Sequence, residues 1–168
     1  MRNSITTTRL RRFTRPACFS RPPARWSVPE QASPCESWIA ATITKWSWPS
    51  AIGLDITIRG PEERSLRKSP DSYAVLGPWL VTPDEIPNPG NLDLRISVNG
   101  EQRQSSNTKH LILGVAELIE YASSFYTLFP GDVMMTGTPE GVSPIQPGDV
   151  ISAYVERIGT MEVRVRAA

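Results

Sequence analysis

From residue 92 the chain alternates with a period of two. Leu92, Leu94, Ile96 and Val98 are separated by Asp93, Arg95 and Ser97, which predicts a strand buried on one face. The run stops at Asn99-Gly100, a dipeptide that tolerates the positive φ angles of a two-residue hairpin. From Leu111 the period lengthens. Leu111, Ile112, Val115, Leu118, Ile119 and Ala122 fall along one stripe of a helix, and Asn107 or Thr108 is placed to cap its start. Pro130 ends any continuation. Pro130-Gly131-Asp132 and Pro147-Gly148-Asp149 read as two similar turns, each leading into an apolar, strand-like run. Residues 150–155 and 161–165 supply further strands around a turn at Gly159. Many strands and one long helix predict an α+β, β-rich domain rather than a doubly wound parallel sheet.

Residues 1–50 show neither period. They hold six of the 16 prolines and four of the five tryptophans, with no stretch long enough to bury a face. The expected organisation is a basic, Pro/Arg/Trp-rich segment over 1–50, disordered or aberrant, ahead of a domain spanning 51–168. Charge divides the chain at the same place. The first fifty residues carry seven Arg and one Lys against Glu30 and Glu36, a charge of +6, so the total of +1 leaves −5 for the remainder. An organellar transit peptide would have this composition. A nucleic-acid-binding tail is disfavoured because the basic residues are scattered between prolines without a recognisable module. A wrong reading frame or start site, joined to a genuine domain near Ser50, is the expectation carried forward.

The 168 residues, 39% apolar and 21% charged, have the profile of a globular chain able to bury a core without disulfides. Cys18 and Cys35 form no CxxC pair and have no neighbouring histidine, which signals neither zinc nor redox chemistry. No run of eighteen apolar residues occurs and no secretory signal opens the chain, so no membrane segment and a cytoplasmic setting are expected.

Three segments carry candidate chemistry. In Gly53-Leu54-Asp55-Ile56-Thr57-Ile58-Arg59-Gly60 an acid sits inside an apolar, β-branched run. A carboxylate there needs a partner, either a cation or Arg59. On a strand, Asp55 and Thr57 share the face opposite Ile56 and Ile58. The second segment, from Arg64 through Arg67 and Lys68 to Trp79, reads by itself as a solvated charged loop. The third runs from Pro130 to Val142 and includes Thr136-Gly137-Thr138-Pro139-Glu140-Gly141. Its glycines allow close backbone approach and its threonines offer hydroxyls.

Taken in order, GLDITIRGPEERSLRKSPDSYAVLGPWLVTPDEIPNP, LRISVNGE and GDVMMTGTPEGVSPIQPGD resemble the C-terminal catalytic domain of the fumarylacetoacetate hydrolase family. The resemblance implies a mixed β-sandwich or β-roll, usually homodimeric, that binds Mg2+ or Mn2+ through carboxylates. It implies hydrolysis, decarboxylation or isomerisation of small-molecule dicarbonyl or 2-oxo acid substrates, often in aromatic-compound breakdown, with no nucleic acid partner. Asp55 matches the family's later metal-binding aspartate, although Leu54 and Thr57 depart from the usual neighbours. Arg59 and Lys68 match catalytic positions. Glu62 stands where many relatives carry a substrate-contacting glutamine, and Gly137 and Thr138 match the Gly-Thr pair lining the substrate pocket.

The resemblance also implies a Glu-x-Glu pair of metal ligands on an earlier strand. Residues 1–50 contain no such pair. His110, the one histidine, is expected to serve at a helix start or on the surface rather than in catalysis. The expectation is therefore an incomplete site: either a family enzyme whose N-terminal part is truncated or misread, or a non-catalytic remnant that folds or pairs with a complete relative.

Overall fold

In the computed structural model, residues 35–42 and 49–166 are described. The hairpin forms where its dipeptide places it. Asn99 and Gly100 take φ angles of 54° and 83°, the two positive values of a turn whose twist suits antiparallel strands. Its arms are Asp93–Val98 and Glu101–Asn107. The register slips between Ile96 and Ser97, where Ser97 faces Gln102 but Ile96 faces Gln104. Arg103 is the extra residue of a β-bulge.

In chain order the strands are β1 (Cys35–Thr42), β2 (Ala51–Ile58), β3 (Ala74–Leu76), β4 (Asp93–Val98), β5 (Glu101–Asn107), β6 (Ser143–Ile145), β7 (Val150–Val155) and β8 (Gly159–Arg164). They form two four-stranded sheets, ordered β3-β2-β1-β6 and β5-β4-β7-β8. Every pairing among these strands is antiparallel. The helices are α1 (Arg64–Lys68) and α2 (Val115–Phe125). The β-rich α+β architecture is thus the one that the patterning predicts.

The core fills the space between the sheets. Ile52, Leu54 and Ile56 of β2 join Leu94, Ile96 and Val98 of β4, Ile151, Ala153 and Val155 of β7, and Met161 of β8 in one buried cluster. Each of the larger side chains contributes about 1.5–3 kcal/mol of burial. Alternation along β2 therefore turns Gly53, Asp55 and Thr57 to the other face of its sheet.

Four local features differ from the sequence expectation. Strand β1 lies within the segment where no element is predicted, yet it pairs with β2 from Cys35 opposite Ile58 to Thr42 opposite Ala51. Ladder bonds are made by main-chain groups, so a neighbouring strand can order a stretch that lacks side-chain alternation. The expectation for residues 1–34 and 43–48 lies outside the described residues. The apolar stripe from Leu111 also starts too early. Asn107 caps a separate 3-10 turn, Thr108–His110, by accepting from the Lys109 N–H at 2.9 Å.

Helix α2 begins only after Gly114, whose N–H donates to Glu117 Oε2 at 2.7 Å. Thr108 caps nothing. It is buried, accepts from the Leu92 N–H and donates to the Pro89 carbonyl, both at 2.8 Å. No residue of α2 is fully buried; Tyr121 and Phe125 are exposed and meet edge to face with ring centres 5.2 Å apart. Finally, the apolar run after Pro130-Gly131-Asp132 is not a strand, whereas the run after Pro147-Gly148-Asp149 is β7. Val133 is exposed there, and the run makes only an isolated bridge at Met135.

The hairpin tip is tied to β7 by polar groups. Asn99 Oδ1 accepts from the Val150 N–H at 2.9 Å and its Nδ2 donates to Asp149 at 2.8 Å. The Gln146 N–H donates to the other Asp149 oxygen at 2.7 Å. The Gln146 N–H first, then Asn99 and the charge of Arg103, hold the Asp149 carboxyl below the usual aspartate range. No helix among the described residues is long and apolar enough to cross a membrane.

Candidate active site

Asp55 lies mid-strand in β2, opposite Trp38 of β1 and Ala74 of β3. Its face is not the apolar one, so the carboxylate is held partly buried without entering the core. The partner is Lys68. The charged loop of the sequence reading contains the five-residue helix α1, and this turn carries the Lys68 ammonium back to Asp55 Oδ2 in a direct ion pair. Arg59, the nearer candidate in sequence, is exposed beyond the end of β2. It follows directly on β2, which ends at Ile58. Glu62 is exposed in the following bend, with its carboxylate folded over Gly60. Beside Lys68, Arg67 Nε is buried with no hydrogen-bond partner among the described residues.

The second part is the loop 137–141, which leads into β6, one strand removed from β2 across β1. Gly137 and Gly141 take φ angles of 103° and 98°, values that L side chains rarely adopt. At Gly137 the space around a would-be Cβ is open. At Gly141 it is filled by the Arg103 carbonyl oxygen, so the loop rests directly on the bulge of β5. Thr138 is half-buried, and its Oγ1 lies 3.1 Å from Gln104 Nε2. That same amide also donates to the Pro139 carbonyl at 2.9 Å and reaches the Glu140 carbonyl at 3.3 Å.

Gln104 is the residue that sequence reasoning overlooks. It is only 2% exposed, yet it stands in a run of polar residues that reads as solvent-facing. Counting back from the two-residue turn would set Arg103 opposite Ile96. The bulge puts Gln104 there instead.

With this geometry, relatives can be compared. The family model described as fumarylacetoacetate (FAA) hydrolase C-terminal matches residues 49–166. The chain belongs to the fumarylacetoacetate hydrolase family. It is 66% identical over 116 residues to a maleylpyruvate hydrolase of Aquipseudomonas alcaligenes, a match covering 69% of this chain and 40% of that protein. The maleylpyruvate hydrolase of Sphingobium sp. SYK-6, solved with manganese(II) and pyruvate, superposes with a TM-score of 0.73 at 36% identity, over 83% of this chain and 56% of the other. Fumarylpyruvate hydrolase from Pseudomonas aeruginosa, solved with Mn2+ and pyruvate, gives a TM-score of 0.76 at 28% identity, over 84% and 70%. The chain thus spans about two-fifths of the curated maleylpyruvate hydrolase.

Whether a divalent cation fits this fumarylacetoacetate hydrolase domain can be judged from its donors. Among the described residues, no group of three or more His, Cys, Asp or Glu side chains could hold a metal ion. Asp55 is a single carboxylate and one of its oxygens meets Lys68. Mg2+ and Mn2+ favour several oxygen ligands in fixed geometry, so the described donor set does not make the site.

Proposed function

We propose that this domain carries family chemistry on a small 2-oxo acid or dicarbonyl substrate, as a hydrolase, decarboxylase or isomerase of aromatic-compound catabolism working in the cytoplasm as a homodimer. The observation that carries the reading is the Asp55–Lys68 pair on β2 and α1, within a chain 66% identical to a maleylpyruvate hydrolase over 116 residues. Lys68 supplies positive charge beside an oxyanion forming on the substrate, and Asp55 fixes where that charge stands. Thr138 and the Gly137 backbone hold a carboxylate or carbonyl oxygen. Arg59 and Glu62, exposed past the end of β2, contact the substrate from the rim. A bound Mg2+ or Mn2+, for which Asp55 would be one ligand, would supply Lewis acidity. The described residues alone do not hold it, and the roles of Lys68, Arg59 and Thr138 do not depend on it. The exposed Tyr121 and Phe125 of α2 support the homodimer.

One observation favours a second reading, a family remnant without catalysis: the lack of a three-ligand metal group among the described residues. Incubation of the full chain with maleylpyruvate and Mn2+ separates the two. Slow pyruvate release above background that disappears in Lys68→Met supports the enzyme. Release indistinguishable from background, in a protein with a cooperative unfolding transition, supports the remnant.

A further inference from the structure

We propose that Gln104 is a positioning residue that sets the polarity of the Thr138 hydroxyl, making it a hydrogen-bond donor toward the ligand. The inference rests on the reading above that Thr138 faces the substrate. It adds a residue of β5 that cannot itself reach the ligand, being 2% exposed.

The orientation of the Gln104 amide is fixed by chemistry. The Pro139 and Glu140 carbonyls can only accept, so the nitrogen rather than the oxygen must face them, at 2.9 and 3.3 Å. An amide nitrogen only donates. Thr138 Oγ1, 3.1 Å from the same nitrogen, must therefore act as acceptor in that contact. Its own proton then points elsewhere. Toward the Pro139 carbonyl the separation is 3.4 Å, well beyond the roughly 2.7–2.8 Å typical of O–H···O bonds, and that carbonyl already accepts from Gln104. The hydroxyl is left to donate, which matches an oxygen that only accepts, such as a carboxylate, and serves an ammonium or a hydroxyl donor poorly.

Two further features make the arrangement stiff. The bulge at Arg103 turns Gln104 inward beside Ile96, and the Arg103 carbonyl lies where a Gly141 side chain would stand. The loop therefore has little room to slide along β5. A buried amide left without acceptors is costly, so the amide and the loop keep each other in place.

The test uses the full chain with pyruvate as the anionic probe and methyl pyruvate as its neutral counterpart, both followed by NMR titration of the Gly137 and Gly141 amides. The expected result is preference for pyruvate in the unmodified chain, a loss of about tenfold in Thr138→Val, and a similar loss in Gln104→Glu at neutral pH. The carboxylate that Gln104→Glu introduces only accepts. When it is protonated it regains one donor, so pyruvate affinity in Gln104→Glu should recover as the pH falls through the glutamate range, about 4.3 and higher with burial. Gln104→Leu should not recover, and a merely structural glutamine would give no such acid rescue. If Thr138→Val leaves pyruvate binding unchanged, or the unmodified chain does not respond to pyruvate, the assignment of Thr138 to the ligand is wrong and the proposal falls with it. If Thr138→Val weakens binding while Gln104→Glu binds like the unmodified chain at every pH, the ligand site stands and the role of Gln104 is overturned.

Discussion

Lys68, the last residue of α1, forms an ion pair with Asp55 in the middle of β2. The pair ties a short helix to a strand that ends ten residues earlier, at Ile58. The side chains are 37% and 27% exposed, so water and salt screen them and the stability gained is small. Lys68→Ala is accordingly expected to cost under about 1 kcal/mol, and less at high salt. The same substitution should abolish the pyruvate response of the Gly137 and Gly141 amides. Urea unfolding at two salt concentrations, with the titration alongside, checks both. A loss of stability of about 3 kcal/mol with pyruvate binding intact would make the pair structural.

The two loop glycines separate strain from collision. Both take positive φ, so alanine at Gly137 should cost about 1–2 kcal/mol from backbone strain alone. Alanine at Gly141 adds an overlap with the Arg103 carbonyl, and its cost should exceed that of Gly137→Ala by at least about 1 kcal/mol. Thermal unfolding of the two variants gives the comparison. Equal losses would mean that β5 yields to the loop.

Acid should weaken the tie between β7 and the hairpin. The folded Asp149 carboxyl titrates below its unfolded value. Its contribution is therefore fully present above the ordinary aspartate range, about 3.9, and is lost as the pH falls through the lower folded value. Asp149→Asn should be less stable than the unmodified chain at neutral pH and should approach it in acid. Denaturation midpoints from about pH 6 down to about pH 2 test this, and parallel curves for the two proteins would contradict it.

Self-association should follow the uncovered side of α2. Tyr121 and Phe125 are exposed and meet edge to face, with Tyr126 and Phe129 also exposed just past the helix, and exposed apolar surface of this kind marks interfaces. Sedimentation of the full chain at micromolar concentration should show dimers or larger species, and Phe125→Lys should shift them toward monomer. A clean monomer before substitution would remove the support for the homodimer.

What the sequence discloses depends on how local the determinants are. The β4–β5 hairpin is legible because alternation and Asn99-Gly100 lie close together in the chain and agree with each other. The Lys68 partner of Asp55 is not, because its segment reads alone as a solvated charged loop and only the course of α1 brings it back to β2. Strand β1 is hidden for a related reason. Its order comes from β2 through main-chain bonds, and Cys35–Thr42 carries no two-residue period of its own. Gln104 is hidden by the bulge: a single inserted residue exchanges the side chains that face in and out. The helix stripe is legible as amphipathic, and Val115, Leu118, Ile119 and Ala122 are half-buried along it; its start is misplaced because Gly114, not Asn107 or Thr108, opens α2.

The order of strands in the two sheets has a consequence for how quickly each can assemble. In the sheet β5-β4-β7-β8, two of the three pairings are hairpins between consecutive strands, which close short loops and form early. The sheet containing Asp55 depends on β6 meeting β1, with Ile145 beside Cys35, partners from distant parts of the chain. That closure is slow by topology. In pulsed hydrogen exchange during refolding, the amides of β4, β5, β7 and β8 should become protected before those of β6. The strand that follows the Thr138 loop would then be the last to dock, making completion of the candidate site the closing event of folding rather than an early one.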